Sequence, residues 1–198
     1  MNKLNEFSAW QWELAITASR LQLGLLDDDE MIAFTHKLMD KGYYDDVMLD
    51  VIDDDPLYPS LEISNYFLKM WQLFNFTQPT IEQSKLINTL QRLYPLSVFP
   101  PNLYAYLQLA KDDKFYQSFE DMVSNWHDDS TYVDIEDMPP QMYYFEDTLF
   151  DYLNRDTKFE FVLETLNEMT LIFANWVKRN ETTILNTMHQ LFETEQKC

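Results

Sequence analysis

The sequence predicts an all-α protein: a single compact domain over residues 1–198 with about nine to ten helices, divisible into packed halves 1–94 and 102–198. Three observations predict it. Apolar residues recur at three- and four-residue spacing along most of the chain. Capping residues stand ahead of several of these stripes, and the only two glycines, Gly24 and Gly42, fall just past two of them. The composition, 46% apolar and 16% aromatic, supplies a sizeable core, which excludes intrinsic disorder in spite of a net charge of −20. A chain of this length buries roughly 70% of its unfolded surface on folding.

The first stripe is Trp10, Leu14, Ala18, Leu21 and Leu25, with Ser8 as its cap and Gly24 as its stop. A second helix starts at Asp27 or Asp28, turns Met31, Phe34, Thr35 and Leu38 to one face, and ends at Gly42. A short helix covers 45–53. The clearest stripe follows: Ile63, Tyr66, Phe67, Met70, Trp71 and Phe74, with Ser60 placed to cap it. Thr80 and Gln83 form a capping box ahead of Leu86, Ile87, Leu90 and Leu93. Pro95, Pro100 and Pro101 then break the chain. The stretch 94–101 is too apolar for a free linker and reads as an ordered connection between the halves.

Leu103, Leu107 and Ala110 resume the pattern, and Phe115, Phe119, Met122 and Trp126 form another stripe. Residues 127–138 read as an acidic loop with a brief extended piece at 132–135. Pro139-Pro140 opens a helix with Met142, Phe145, Leu149 and Leu153 inward. Phe159, Val162, Leu166, Met169, Phe173 and Trp176 make a long helix, and Asn180 caps a last one carrying Ile184, Met188 and Leu191. No fixed-period repeat indicates a solenoid.

The charge is concentrated. Residues 27–55 hold 11 acids and 2 bases, and residues 112–151 hold 12 acids and 1 base; elsewhere acids and bases balance at 11 each. The cluster Asp27–Glu30 reads as a helix start, where carboxylates suit the macrodipole. The denser clusters read as a docking face: Asp45, Asp46, Asp50, Asp53, Asp54 and Asp55 in the first segment, with Asp128, Asp129, Asp134, Glu136 and Asp137 in the second. They are interleaved with Tyr43, Tyr44, Met48, Tyr58, Tyr132, Met138 and Met142. Charge steers an encounter, and exposed aromatics anchor it. Such a face repels phosphate backbones and anionic lipid, so neither nucleic acid nor membrane is expected as a direct partner.

Motifs for chemistry are sparse. With Cys198 as the only cysteine there is no intrachain disulfide and no cysteine zinc site. His36 and His189 fall on polar helix faces, and His127 stands at a helix end beside Asp128 and Asp129; no pair of histidines has metal spacing. Residues 128–134 lack the turn glycine of an EF-hand, and two glycines cannot build a phosphate loop. No enzymatic activity, cofactor or metal is expected. The N-terminus has no apolar core of a signal peptide, and no window is long and apolar enough to span a membrane, so the expected location is the cytoplasm.

Trp12-Glu13-Leu14-Ala15, Leu23-Gly24-Leu25-Leu26-Asp27 and Lys41-Gly42-Tyr43-Tyr44-Asp45 together resemble an all-helical bacterial family of unknown function found near polymorphic toxin genes. The resemblance spans roughly residues 1–90. It implies an immunity protein of contact-dependent inhibition or a similar toxin system: a cytoplasmic protein that binds and neutralises one cognate toxin. A toxin acting on nucleic acid is expected to be basic, so the partner is expected to be a basic nuclease domain met by carboxylates in place of phosphates. The alternative is a cytoplasmic chaperone for a redox enzyme or secreted substrate. Residues 136–146 resemble the acidic-proline motif of twin-arginine pathway chaperones, although the Asp-His pair of that motif is missing. A metal-dependent helical hydrolase is a third class.

Overall fold

The computed structural model describes residues 3–52, 63–102 and 158–192. Among these residues the protein is all-helical, with no strand. Six α-helices are present: α1 (Ala9–Gln22), α2 (Asp28–Asp40), α3 (Asp46–Ile52), α4 (Ile63–Leu73), α5 (Ile81–Leu93) and α6 (Phe159–Phe192). Two short 3-10 helices, Lys3–Glu6 and Tyr94–Leu96, accompany them. The expected Ser60 cap and the helices expected between 103 and 157 lie outside the described residues. No helix among the described residues is long and apolar enough to cross a membrane.

The helix starts follow from local chemistry. Ser8 caps α1: its Oγ accepts the Gln11 N–H at 3.2 Å, and the Gln11 Oε1 accepts the Ser8 N–H at 2.9 Å. Asp27 and Glu30 repeat the exchange at α2, at 2.9 and 3.2 Å. Thr80 and Gln83 repeat it at α5, at 3.2 and 2.9 Å. Each satisfies two backbone donors that a helix start otherwise leaves open.

Three helix ends share a second device. At α1, Leu25 N–H donates to Arg20 O and Gly24 N–H to Leu21 O, with Gly24 at φ +67°. At α2, Tyr43 N–H donates to Leu38 O and Gly42 N–H to Met39 O, with Gly42 at φ +88°. At α4, Phe76 N–H donates to Trp71 O and Asn75 N–H to Gln72 O, with Asn75 at φ 53°. The left-handed residue reverses the chain so that the last carbonyls are used.

The chain groups into two compact units, Phe7–Lys85 with Thr187–Cys198, and Met1–Glu6 with Leu86–Asn186. In the first, Leu14 and Ala18 of α1, Met31, Phe34 and Leu38 of α2, Met48 and Val51 of α3, and Ile63, Phe67, Met70 and Trp71 of α4 form one buried cluster. Every residue of the expected α2 face, Met31, Phe34, Thr35 and Leu38, is buried. Short α3 packs against both α2 and α4. Phe34 bridges the cluster, with ring centroids 6.1 Å from Phe67 and 5.9 Å from Trp71, and Trp10 stacks on it at 5.8 Å.

Among the described residues of the second unit, the buried apolar side chains are Leu4, the α5 residues Leu86, Ile87, Leu90 and Leu93, then Leu96, and α6 residues from Val162 to Ile184 at helical spacing. The predicted break in the last helix is corrected. Helix α6 runs unbroken for 34 residues, and Asn180 caps nothing: its Nδ2 donates back to Trp176 O at 3.0 Å. Two stripe ends also fall outside the core, Leu25 because it lies past the α1 stop and Phe159 in the opening turn of α6; both are exposed.

Candidate functional site

The described residues bring three of the predicted partner-binding carboxylates together, at the start and along the outer side of α3. Asp45 is half-buried and serves as the cap: its Oδ1 accepts the Val47 N–H at 3.0 Å, and its carbonyl accepts the Met48 N–H at 3.0 Å. This is ordinary capping chemistry, with the carboxylate also favoured by the helix dipole. Asp46 and Asp50 are exposed. They stand four residues apart and so share one face. Asp53, Asp54, Asp55, Asp128, Asp129, Asp134, Glu136 and Asp137 lie outside the described residues.

Among the described residues, the aromatics and methionine interleaved with these acids, Tyr43, Tyr44 and Met48, divide between core and surface; Tyr58, Tyr132, Met138 and Met142 lie outside the described residues. Met48 is fully buried, a correction to its reading as part of the docking face. Tyr43 is half-buried, with its ring against Phe74 at 5.2 Å and Phe76 at 5.6 Å. Tyr44 stays out, at 62% exposure, two residues ahead of α3. Leu49, which the sequence reading passed over, is 41% exposed. The signal for it was available: Met48 and Val51 at three-residue spacing fix the inward face of α3, and Leu49 falls off that face.

The other acidic cluster is occupied by structure. Asp27 and Glu30 cap α2, and Glu30 is also gripped by Arg20, whose Nη1 and Nη2 lie 2.5 and 2.8 Å from its two carboxylate oxygens. Asp28 and Asp29 stand in the first turn of α2, where the dipole favours them. Lys37 pairs with Glu13 across the α1–α2 hairpin, and Lys41 lies 5.5 Å over the Trp10 ring. His36 and His189 are exposed, as expected from their faces, and the His189 ring meets the edge of Phe7 at 5.0 Å. His127 lies outside the described residues.

A cavity in the first unit is lined by α1 (Leu14, Ala15, Ala18), by Trp71, Phe76 and Thr77, and by Leu191 and Phe192 of α6. Its volume, about 10 Å³, is at the lower limit for a single water and too small for a larger ligand. Among the described residues no three His, Cys, Asp or Glu side chains converge to hold a metal ion. No protein-family model, curated protein or solved structure matches the chain.

Proposed function

We propose that this chain is an immunity protein: it binds a cognate toxin domain, basic and acting on nucleic acid, through its acidic surface, and so neutralises it in the cytoplasm. The same reading carries nine to ten helices in all. One observation carries the proposal. The whole charge excess of −20 lies within 27–55 and 112–151. Within the described part of the first segment, Asp27, Glu30 and Asp45 are taken up by helix caps, while Asp46 and Asp50 stand exposed with no hydrogen bond or ion pair. Carboxylates left over from folding in a strongly anionic segment suit a cationic protein, whose association they accelerate by about 10–10³.

The experiment is neutralisation. The protein encoded beside this chain is expressed alone and with it, and growth and nuclease activity are followed. The expected outcome is toxicity relieved by co-expression, with an affinity that falls steeply as salt rises. Absence of any toxic neighbour, or toxicity that persists with both proteins present and soluble, sinks the proposal.

A further inference from the structure

Helix α3 is fixed from inside by Met48 and Val51, both 0% exposed. Its outward side is therefore the Asp46–Asp50 line with Leu49 beside it. That side is unfavourable for the chain alone in two ways. Two carboxylates four residues apart repel, and among the described residues no cation pairs with either. Leu49 and the neighbouring Tyr44 keep 41% and 62% of their surface in water.

We propose that Leu49 and Tyr44 are the apolar anchors, and Asp46 and Asp50 the charged flank, of a docking epitope for a basic protein surface that carries an apolar side chain among its cations. This rests on the partner-binding reading above and names where and how the partner is held. Charge complementarity selects the occupant. Phosphate and anionic lipid have the wrong sign, and a second copy of the chain brings another −20. A divalent cation would quench the carboxylates and leave Tyr44 and Leu49 wet. A basic surface with an apolar centre covers both. The work divides accordingly: the carboxylates set the rate of encounter, and the anchors set the rate of escape.

The test titrates the full chain, isotopically labelled, with a synthetic helical peptide bearing one lysine face and one leucine face, and with an oligolysine of equal length. The amphipathic peptide is expected to shift the amide resonances of residues 44–50. Y44A combined with L49A should weaken it by about tenfold with an unchanged circular dichroism spectrum, because neither side chain is buried in the core. Oligolysine binding should be indifferent to that pair and should fall with D46N and D50N. Amphipathic-peptide binding to the Y44A/L49A variant as tight as to the unaltered chain overturns the epitope, as do shifts confined to other residues or a response of α3 to calcium or magnesium that matches its response to peptide. The toxin assay is a separate readout. Toxin neutralised equally well by Y44A/L49A removes the epitope and leaves the function standing, whereas peptide docking at α3 without any toxin partner does the reverse.

Discussion

Arg20 on α1 holds Glu30 on α2 with both guanidinium nitrogens and, through Nη2, also donates to Leu25 O at 2.9 Å. One side chain thus ties the end of α1, the connecting turn and the start of α2. The Glu30 carboxylate accepts the Asp27 N–H as well, so the ion pair and the capping box share an oxygen. Paired planar groups of this kind fix geometry as well as contribute energy. Both partners are partly solvated, so the contribution is modest. Glu30→Ala is expected to cost about 1 kcal/mol, and Arg20→Lys most of the same, because an ammonium cannot make the two-point contact. Urea denaturation is the measurement, read as a fall in midpoint at constant slope. An unchanged midpoint in both variants would show that the turn is held without the pair.

The three reversed helix ends allow a comparison within one molecule. A methyl group at Gly24 or Gly42 meets nothing within 4 Å, so any cost of alanine there is the cost of the left-handed backbone alone. Gly24→Ala and Gly42→Ala should each destabilise by about 1 kcal/mol. Asn75→Gly should instead hold or slightly raise stability, since Asn75 already sits at φ 53° and glycine enters that region freely. Equal losses from all three substitutions, measured by thermal unfolding, would contradict the backbone origin of the effect.

The legible parts of this fold were those written in local chemistry. The cap at Ser8, the helix start at Asp27 and the capping box of Thr80 with Gln83 depend only on residues a few positions apart, and each is present; the reciprocal bonds from Gln11 and Glu30 complete the box at the first two as well. The glycine stops were legible for the same reason. Asn75 was not, because asparagine reaches the left-handed region only occasionally and here it stands between two phenylalanines, which look like stripe rather than turn. Charge was legible as a sum over 27–55 but not as a division of labour: Asp45 and Asp46 are neighbours, yet one closes a helix start and the other faces water. Met48 and Leu49 show the same limit. In a helix of 7 residues, the inward face is set by what α2 and α4 present, and adjacent apolar residues part company.

The two sides of α3 should therefore respond oppositely to substitution. Met48→Ala removes a fully buried side chain from the cluster joining α2, α3 and α4, and is expected to cost about 2–5 kcal/mol. Asp50→Asn takes one charge from a repelling pair on the outer face and should leave stability unchanged or raised. Asp46→Asn relieves the same repulsion but gives up the dipole's preference for a carboxylate in the first turn of α3, so the two effects should nearly offset, within about 0.5 kcal/mol. Chemical denaturation of the three variants separates the cases. A large loss from either asparagine variant would mean that the carboxylate is part of the fold and not left over for a partner.

Asn180 offers the sharpest contrast between sequence expectation and structure. As a helix cap it would be worth about 0.5–2 kcal/mol, the usual loss on replacement by alanine. In the interior of α6 it has a different role: its side chain bonds back to Trp176 O, a contact that competes with the backbone ladder, in a residue of low helix propensity. Alanine there gives up one side-chain bond and gains helix propensity. Asn180→Ala should accordingly leave stability unchanged or raise it by up to about 0.5 kcal/mol, with no loss of helical circular dichroism. Pro at the same position would remove a backbone donor and clash with the preceding turn, costing about 3 kcal/mol or more. A helix boundary at 180 would reverse this order, with alanine harmful and proline tolerated one position further on.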